Sequence, residues 1–331
     1  MTEAEFYLAA ENFLNNLFIE LAANKIDLES HWDIDHLCYR ADTLENYNAL
    51  KEQFTKFGKL LIASDVNGRE ISTYELFTPV QFKGWRIDLI ELPAPKKGKV
   101  TAEGFEHVEV VVDVAFEELI KKYNKLSLDT NGLKKGFNKE LEVCLGTHNL
   151  KFHHLSLLSV INVEKNTKVW NAITRSKILE IFADNKPLIA GTFPLNVEVD
   201  GSDVDILMQA KNLEEIKSLL IKNFGDKKEF SHDTQVIDEL ETLICNFVFD
   251  DVPFEVFIQD REPVRQKAYL HFLIEERLLK LGGQSFKNKV DEERRKGSKT
   301  EPAFASALGI KEDPYSRLLQ LQKMSSKDLM L

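Results

Sequence analysis

An internal repeat constrains the fold of this 331-residue chain more than any other feature of its sequence. A strand, a helix and three further strands are predicted over residues 34–92, and the same order of elements then follows again. His107 lies 71 residues after His36, and the same shift relates Glu106 to Asp35. A duplication of this length predicts two βαβββ modules that share one core and form one curved sheet.

The period of the apolar residues predicts the elements of both modules. Apolar positions at steps of three and four from Phe6 to Leu21 indicate an opening helix. Asp42 and Glu45 form a capping-box pattern before a second helix, and a third helix is predicted over residues 116–123. The predicted strands are 34–40, 60–64, 71–78 and 85–92 in the first module, and 105–108, a short run around Leu133, 141–145 and 150–160 in the second.

The second half of the chain has a different order of elements. A helical stretch over residues 164–182 leads into it. The predicted strands are 188–190, 204–208, 244–249 and 253–258, with a hairpin turn at Asp250-Asp251. Further helices are predicted over 212–224, from Pro263 to a stop at Gly282-Gly283, and over the last fifty residues.

These patterns predict an α+β protein with two domains, which agrees with the chain length. Residues 1–164 are expected to form the curved sheet of the duplicated modules. Residues 165–331 are expected to form a mixed sheet with C-terminal helices.

Composition excludes several classes of protein. The formal net charge is -11 and the sequence pI is about 5.4, so general binding to nucleic-acid phosphates is not expected. Cys38, Cys144 and Cys245 are too few and too far apart for a disulfide framework or a CxxC metal site. The first residues are acidic where a signal peptide is basic, and no apolar run approaches the roughly 20 residues that cross a bilayer. We therefore expect a cytoplasmic protein without a membrane partner, and its oligomeric state stays open.

Two polar segments of the second half have alternative interpretations. A basic cluster interrupted by Asp291, Glu292 and Glu293 either binds a nucleotide or is a solvated helix face. The polar side of the helix after Pro263 either faces a ligand or faces solvent. The cluster consists of Lys287, Lys289, Arg294, Arg295, Lys296 and Lys299, and the helix residues are Arg265, Gln266, Tyr269, His271 and Arg277. Lys299 is the candidate phosphate contact.

A group of three acidic residues indicates a metal site in the second half. Residues two apart on a strand point to the same face, so Asp203 and Asp205 project together. Glu255, between apolar neighbours on a later strand, can add a third carboxylate. Such oxygens are the ligands that Mg²⁺ prefers, together with water and phosphate. Gly191 and Thr192 follow a short strand, where backbone N–H groups and a hydroxyl can approach a phosphate.

This pattern resembles the nucleotidyltransferase superfamily, the fold of polymerase beta. Its members have a Gly-Ser or Gly-Gly pair, a spacer such as the ten residues between Thr192 and Asp203, an Asp-x-Asp, and a third acid on a later strand. Threonine stands here in place of the usual serine. Stretches that begin at Leu188, Gly201, Pro253, Pro263 and Lys299 resemble one bacterial branch without an assigned function, and the resemblance covers roughly residues 165–331.

The resemblance implies a Mg²⁺-dependent site that uses an NTP. The implied catalytic metal ligands are Asp203, Asp205 and Glu255. The implied nucleotide contacts are Gly191, Thr192, Ser202 and Lys299.

The first half contains a second group of potential metal ligands. His36 and His107 are related by the repeat, and Glu91 lies at the end of the last strand of the first module. His153 and His154 lie in the last strand of the second module. Matched strands of duplicated modules converge in one sheet, so these side chains can meet around one ion. Imidazole with carboxylate suits Fe, Mn, Ni, Co or Zn, whereas a lone strand histidine is more often a hydrogen-bonded core residue.

This half resembles the vicinal-oxygen-chelate superfamily, and within it the YecM-like branch. The matching segments are 34–40, 90–96, 104–111 and 151–153, and the resemblance covers about residues 1–160. Glyoxalase and extradiol dioxygenases of this superfamily bind a divalent metal with one residue from each of four strands. The implied ligands are His36, Glu91, His107 and either His153 or His154, and a small molecule is the implied substrate.

The sequence supports two hypotheses about function. In the first, a Mg²⁺-dependent nucleotidyltransferase domain moves a nucleotidyl group from an NTP to an acceptor and is fused to an oxygen-chelate domain that binds Zn, Mn, Ni or Fe. In the second, a regulatory protein retains both folds and binds metal or nucleotide without turnover. Calorimetry with Mg²⁺ and ATP distinguishes them, because an absence of triphosphate binding favours the second hypothesis.

Overall fold

The computed structural model describes residues 2–66, 68–98 and 101–329, and the chain divides into two compact units. Unit 1 consists of Met1–Val112, Phe116–Leu157 and Ser325–Asp328, and unit 2 of Asp113–Ala115, Leu158–Met324 and Leu329–Leu331. Each unit contains one sheet, which confirms the predicted α+β class. In the part of the chain that the structure describes, no helix is long and apolar enough to span a bilayer.

Unit 1 is an eight-stranded sheet with three helices. Its strands are β1 (Asp33–Arg40), β2 (Gly58–Asp65), β3 (Glu70–Phe82), β4 (Trp85–Pro93), β5 (Gly104–Val111), β6 (Ser127–Asp129), β7 (Glu140–Cys144) and β8 (Asn149–His153). Its helices are α1 (Glu3–Ala23), α2 (Leu44–Phe54) and α3 (Phe116–Lys122).

The strand order shows the repeat directly. The sheet runs β2-β3-β4-β1-β5-β8-β7-β6, so the same order extends outward from the centre in both modules. β1 is parallel to β4, β5 is parallel to β8, and β1 and β5 join the modules as an antiparallel pair. The two histidines that the repeat relates therefore lie on the two central strands.

Helix α1 packs its apolar side into an aromatic cluster of unit 1. The ring of Phe6 lies 5.7 Å from that of Phe54, 5.3 Å from that of Phe57 and 5.6 Å from that of Phe105, measured between centroids. Burial of a phenylalanine side chain contributes about 1.5–3 kcal/mol, so this cluster stabilises the arrangement of helix and sheet.

Three predicted details of unit 1 are wrong. Thr43, rather than Asp42, caps α2: its backbone is extended and its hydroxyl accepts a hydrogen bond from the Asn46 N–H at 3.1 Å. The run around Leu133 forms a 3₁₀ turn, Asn131–Lys134, and the neighbouring strand is β6. The strand predicted over 150–160 ends at His153 because a helix begins at Leu157.

The chain after this point forms helices and a five-stranded sheet. The helices are α4 (Leu157–Lys165), α5 (Thr167–Ser176), α6 (Ile178–Ile181), α7 (Thr192–Leu195), α8 (Leu213–Phe224), α9 (Lys267–Arg295), α10 (Thr300–Leu308) and α11 (Pro314–Gln322). The strands are β9 (Leu188–Ala190), β10 (Val204–Gln209), β11 (Lys228–Ile237), β12 (Leu240–Phe249) and β13 (Val252–Gln259).

The second sheet is mixed, as predicted. Its order is β11-β12-β13-β10-β9, with β10 parallel to β13 and the other pairs antiparallel. Ile206, Val256 and Ile258 are fully buried, so the β10–β13 pair lies in the core. A parallel pair with apolar alternation gives its polar residues a fixed and well-supported position.

Two boundaries near α9 differ from the prediction. Pro263 begins a 3₁₀ turn, and α9 itself begins at Lys267. Gly283 interrupts α9 with φ 58° and ψ -159°, but the helix resumes and continues to Arg295. The predicted stop at Gly282-Gly283 is therefore a kink between two helical segments.

Candidate functional site

Three carboxylates of unit 2 converge because of strand pairing. In the parallel pair β10–β13, Asp205 lies directly opposite Glu255, and residues in register on neighbouring strands point to the same face. Asp203 lies two residues before Asp205. All three line a cavity of about 450 Å³. Their ligand oxygens are spread over this cavity and do not form one of the groups of described residues whose ligand atoms all lie within 4.8 Å of one another.

Gly191 brings the backbone close to one of these carboxylates. Its φ of 75° and ψ of -149° suit glycine, and a Cβ at this position would lie 1.7 Å from Oδ2 of Asp205. Ala190, the preceding residue, pairs with Asp205 across β9 and β10. Thr192 is buried, and its Oγ1 makes no hydrogen bond within the described part of the chain. The backbone and the hydroxyl thus lie beside the carboxylates without blocking them.

The cavity has an excess of negative charge around Asp205. Burial, followed by the carboxylates of Asp203, Glu255 and Glu301, raises the pKa of Asp205 well above its ordinary value, although Arg294 opposes the shift. Burial and Asp203 also raise the pKa of Glu255, which Lys299 partly offsets. A bound divalent cation would favour the ionised forms of these carboxylates.

The structure adds two residues, Glu275 and Glu301, that the sequence did not indicate for this site. Glu275 and His271, one helical turn apart on α9, line the cavity together with Glu301 and Arg294. Glu275 is 3% exposed, and its Oε1 makes no hydrogen bond among the described residues. Burial and Glu301 raise its pKa well above the ordinary value. Glu275 could have been predicted, because a glutamate on the buried side of an amphipathic helix is unusual. The approach of Arg294 and Glu301 to the cavity depends on tertiary packing.

In both the basic cluster (residues 287–299) and the polar side of the helix after Pro263, some residues line the cavity and others do not. Arg294 and Lys299 line the cavity, and Arg294 donates a hydrogen bond to the carbonyl of Ser298 at 2.8 Å. Lys287 pairs instead with Asp291, and Lys296 pairs with Glu292 and Glu293, as in a solvated helix face. Among the helix residues, His271 lines the cavity, whereas the buried Arg277 donates to the carbonyls of Gln322 and Met324.

Ser202 also lies in the cavity wall. Its hydroxyl accepts a hydrogen bond from the N–H of Val199 at 2.9 Å and so closes the turn that precedes Asp203. The structure thus brings together the seven residues that the nucleotidyltransferase resemblance implies. They are Gly191, Thr192, Ser202, Asp203, Asp205, Glu255 and Lys299.

Unit 1 contains a second, more compact cluster between its two modules. His36 Nε2 lies 3.7 Å from Glu91 Oε2 and 3.6 Å from Glu109 Oε2. His107 Nε2 lies 3.2 Å from Glu109 Oε1. One ligand atom from each of these four residues lies within 4.8 Å of the others, which is a separation that one metal ion can bridge.

Carboxylates orient both central histidines. Nδ1–H of His36 donates to Asp35 Oδ2 at 2.8 Å, and Nδ1–H of His107 donates to Glu106 Oε2 at 3.0 Å. Both contacts leave Nε2 directed at the cluster, as in metal-bound imidazoles whose other ring nitrogen donates a hydrogen bond to a carboxylate. Asp35 also accepts a hydrogen bond from the N–H of Leu157 at 2.8 Å. The shift of 71 residues therefore relates the orienting carboxylates as well as the histidines.

His153 and His154 have different environments. His153 Nε2 lies 2.5 Å from Glu109 Oε2 and 3.7 Å from Glu140 Oε2, and these three residues form a further cluster with ligand atoms within 4.8 Å. His154 stacks on the ring of Phe116 at a centroid distance of 4.0 Å. Of the two alternatives for a fourth ligand, His153 is the one beside the central cluster.

The electrostatics of the cluster favour the protonated forms of both central histidines. Burial disfavours the charged imidazole of His36, but Glu109, Asp35 and Glu91 outweigh it and raise its pKa well above the ordinary value. Burial also acts against His107, yet Cys38 and Glu106 raise its pKa to about 10. A metal ion would therefore displace protons from the same nitrogen atoms.

Sequence reasoning missed Glu109, Glu140 and Lys151 in this cluster. Glu109 lies two residues after His107 and Lys151 two residues before His153, so each shares a strand face with a histidine that was selected. Lys151 Nζ lies 3.2 Å from Glu109 Oε1. Glu109 and Lys151 could therefore have been predicted from the strand alternation that also pairs Asp203 with Asp205.

Comparison with known proteins relates each half of the chain to a different family. Residues 3–145 match the family model described as YecM protein, and residues 171–321 match a model described as Domain of unknown function (DUF4269). The first match agrees with the YecM-like resemblance. The second description names no activity.

Two curated relatives match the first half. An uncharacterised protein of Haemophilus influenzae is 40% identical over 98 residues, which are 30% of this chain and 51% of that protein. The chain thus spans about half the length of this relative. Protein YecM of Escherichia coli is 27% identical over 147 residues, which are 40% of this chain and 78% of that protein.

Three solved structures are similar to parts of this chain. A structural genomics protein, EC4020, has a TM-score of 0.40 with 25% identity, over 45% of this chain and 86% of that one. A methylmalonyl-CoA epimerase of Streptomyces coelicolor has a TM-score of 0.28 with 10% identity, over 37% of this chain and 95% of that one. The RNA terminal uridylyl transferase Cid1 has a TM-score of 0.29 with 13% identity, over 40% of this chain and 39% of that one.

Proposed function

We propose that unit 2 transfers a nucleotidyl group from an NTP to an acceptor in a Mg²⁺-dependent reaction. One observation carries this proposal: Asp205 lies opposite Glu255 in a parallel strand pair, and both line the same cavity as Gly191 and Thr192. Hard oxygen ligands beside a close backbone approach are what a Mg²⁺–triphosphate requires.

The residues of the cavity fit such a metal. Asp203, Asp205 and Glu255 supply carboxylate oxygens. Burial, followed by repulsion from the neighbouring carboxylates, raises the pKa of Asp205, and a cation would relieve that repulsion. Mg²⁺ at this position would lower the pKa of an acceptor hydroxyl and neutralise the departing pyrophosphate.

The side chains of the cavity have separate roles in this proposal. The hydroxyl of Thr192 donates to a phosphate oxygen, and Arg294 and Lys299 offset phosphate charge. The acceptor oxygen forms a bond to the α-phosphorus, the bond from that phosphorus to the β-phosphate breaks, and pyrophosphate leaves. Glu255 takes the proton of the acceptor hydroxyl and passes it to water.

Calorimetry with Mg²⁺ and each of the four NTPs tests this proposal. We expect the wild-type protein to bind at least one NTP, and Asp205→Asn to lose Mg²⁺-dependent binding and to reduce any turnover by at least about 100-fold, because a metal ligand is weakened without a change in volume. Glu214→Gln, on the exposed side of α8, is the control. Failure of all four NTPs to bind would contradict the proposal, and binding without pyrophosphate release would favour the regulatory hypothesis.

We further propose that unit 1 binds one divalent transition-metal ion, such as Zn, Mn, Ni or Fe, and a small-molecule substrate. The compact cluster of His36, Glu91, His107 and Glu109, with a carboxylate on each Nδ1, supports this second function. Metal analysis after dialysis against each ion tests it. We expect one ion per chain in the wild-type protein and loss of that ion in His36→Ala and His107→Ala.

A further inference from the structure

Lys151 holds, in the second module, the position that Glu91 holds in the first. Glu91 lies opposite Cys38 in the parallel pair β1–β4, and Lys151 lies opposite Glu109 in the parallel pair β5–β8. Cys38 and Glu109 are separated by the same 71 residues as the two histidines. The repeat therefore places a carboxylate on one side of the metal cluster and an ammonium group on the other.

An ammonium group cannot take the place of a metal ligand. It has three N–H donors and no lone pair, so it needs anionic or neutral oxygen atoms that accept its hydrogen bonds. Lys151 Nζ lies 3.2 Å from Glu109 Oε1 and 3.9 Å from Glu140 Oε2. If both oxygens of Glu109 bind an ion, Lys151 loses this acceptor, and Glu140, at 3.9 Å, lies beyond hydrogen-bond distance.

The position of Lys151 allows contact with a ligand from solvent. The side chains of Glu91, Glu140 and Lys151 are 17%, 18% and 15% exposed, whereas those of His36 and His107 are only 1% and 2% exposed. The histidines thus form the closed end of the cluster, and Lys151 lies at its open side. A molecule that approaches the cluster from solvent can therefore contact the ammonium group.

We propose that Lys151 selects ligands with an anionic oxygen, such as a carboxylate or enolate oxygen, which bind the metal ion of unit 1 and accept a hydrogen bond from the ammonium group. This inference rests on the proposed metal site. A neutral ligand would leave a partly buried charge without its acceptor, which disfavours it. A hydrogen bond between charged groups accounts for about a 10- to 100-fold difference in affinity.

Titration of the metal-loaded full-length protein with oxalate tests the inference. We first measure metal binding by calorimetry, and then oxalate binding, in the wild type, Lys151→Met, Lys151→Arg and the control Lys135→Met. Lys135 also pairs with Glu140 but is 46% exposed. We expect Lys151→Met to bind metal as well as or better than the wild type but oxalate about 10- to 100-fold more weakly, with little change for Lys151→Arg and Lys135→Met.

The outcomes separate this inference from the metal site itself. If the wild type binds no metal, the metal site fails and the role of Lys151 fails with it. If the wild type binds metal but no oxalate, or if Lys151→Met binds oxalate like the wild type, the metal site stands and the role of Lys151 is wrong. If Lys151→Met does not fold, a loss of oxalate binding in Lys151→Arg as well would show that charge is not the determinant and would overturn the inference.

Discussion

Single residues set the geometry of the cavity in unit 2, and Gly191 does so through its backbone. Alanine at this position would be strained and would place its Cβ within 1.7 Å of Asp205 Oδ2. We predict that Gly191→Ala displaces this carboxylate and abolishes Mg²⁺-dependent nucleotide binding, in addition to a destabilisation of about 1–3 kcal/mol. Calorimetry and thermal melting measure the two effects.

Gly309→Ala provides the control for this substitution. Gly309 has a similar φ of 73°, but a Cβ there would meet no atom within 4 Å. Gly309→Ala should lower the free energy of unfolding by about 1–2 kcal/mol and leave nucleotide binding unchanged. Equal effects of both variants on binding would show that strain, rather than contact with Asp205, explains the loss.

A single carboxylate also orients His107 in unit 1. Glu106 accepts hydrogen bonds from Nδ1–H of His107 and from Nε–H of Arg40. We predict that Glu106→Gln lowers the affinity for a transition metal about 10- to 100-fold, because the imidazole is held less firmly. The measurement is competition with a chelator of known affinity. Glu142→Gln is the control in the same unit, and an unchanged affinity in Glu106→Gln would contradict an orienting role.

Spacing alone selected two pairs of candidate site residues. Asp203 and Asp205 share a strand face, and the repeat relates His36 to His107, so local sequence was sufficient to select them. Glu109 could have been found by the same rule. The approach of Arg294 to Asp205 could not, because packing between a helix and a sheet brings these residues together.

At the level of elements, two hairpins of unit 2 have left-handed turns. Asp250 and Asp251 have φ of 49° and 58° between β12 and β13, as a type I′ turn requires. Glycine is preferred at the second position, so we predict that Asp251→Gly stabilises the protein by about 0.5–1 kcal/mol. Asp251→Ala retains the Cβ and should give no gain. Denaturant unfolding measures both, and destabilisation by Asp251→Gly would contradict this explanation.

Elements with strong apolar periodicity were predictable, and exposed elements were not. β10 and β13 alternate buried residues with site residues, so both were predicted close to their actual bounds. β11 was missed because eight of its ten residues are exposed, and an edge strand of this kind has no apolar alternation. The turn at Asp238 and Glu239 sets its register. Both residues have positive φ values, which their residue types do not predict.

At the scale of the whole molecule, the boundary between the predicted domains 1–164 and 165–331 stays a prediction. Unit 1 continues to Leu157, whose N–H is hydrogen-bonded to Asp35. We predict that a fragment of residues 1–158 melts cooperatively and binds a transition metal. A fragment of residues 1–155 lacks this donor and should bind metal more weakly, because Asp35 orients His36.

Circular dichroism and metal titration of the two fragments test this division of the chain. A broad, non-cooperative transition in the longer fragment would show that unit 1 does not fold by itself. Equal metal affinity in both fragments would show that the hydrogen bond from Leu157 does not support the position of His36.

The opposite charges at the matched positions of Glu91 and Lys151 have a consequence for stereochemistry. Two related modules would otherwise give a centre with approximate twofold symmetry, in which a flat molecule could bind equally well by either face. If unit 1 binds the proposed metal ion, that ion, the carboxylate and the ammonium group would form three different points of attachment. A molecule turned over by half a rotation would bring its anionic oxygen to Glu91, where like charges repel. A prochiral ligand held at this centre would therefore present one face in preference to the other.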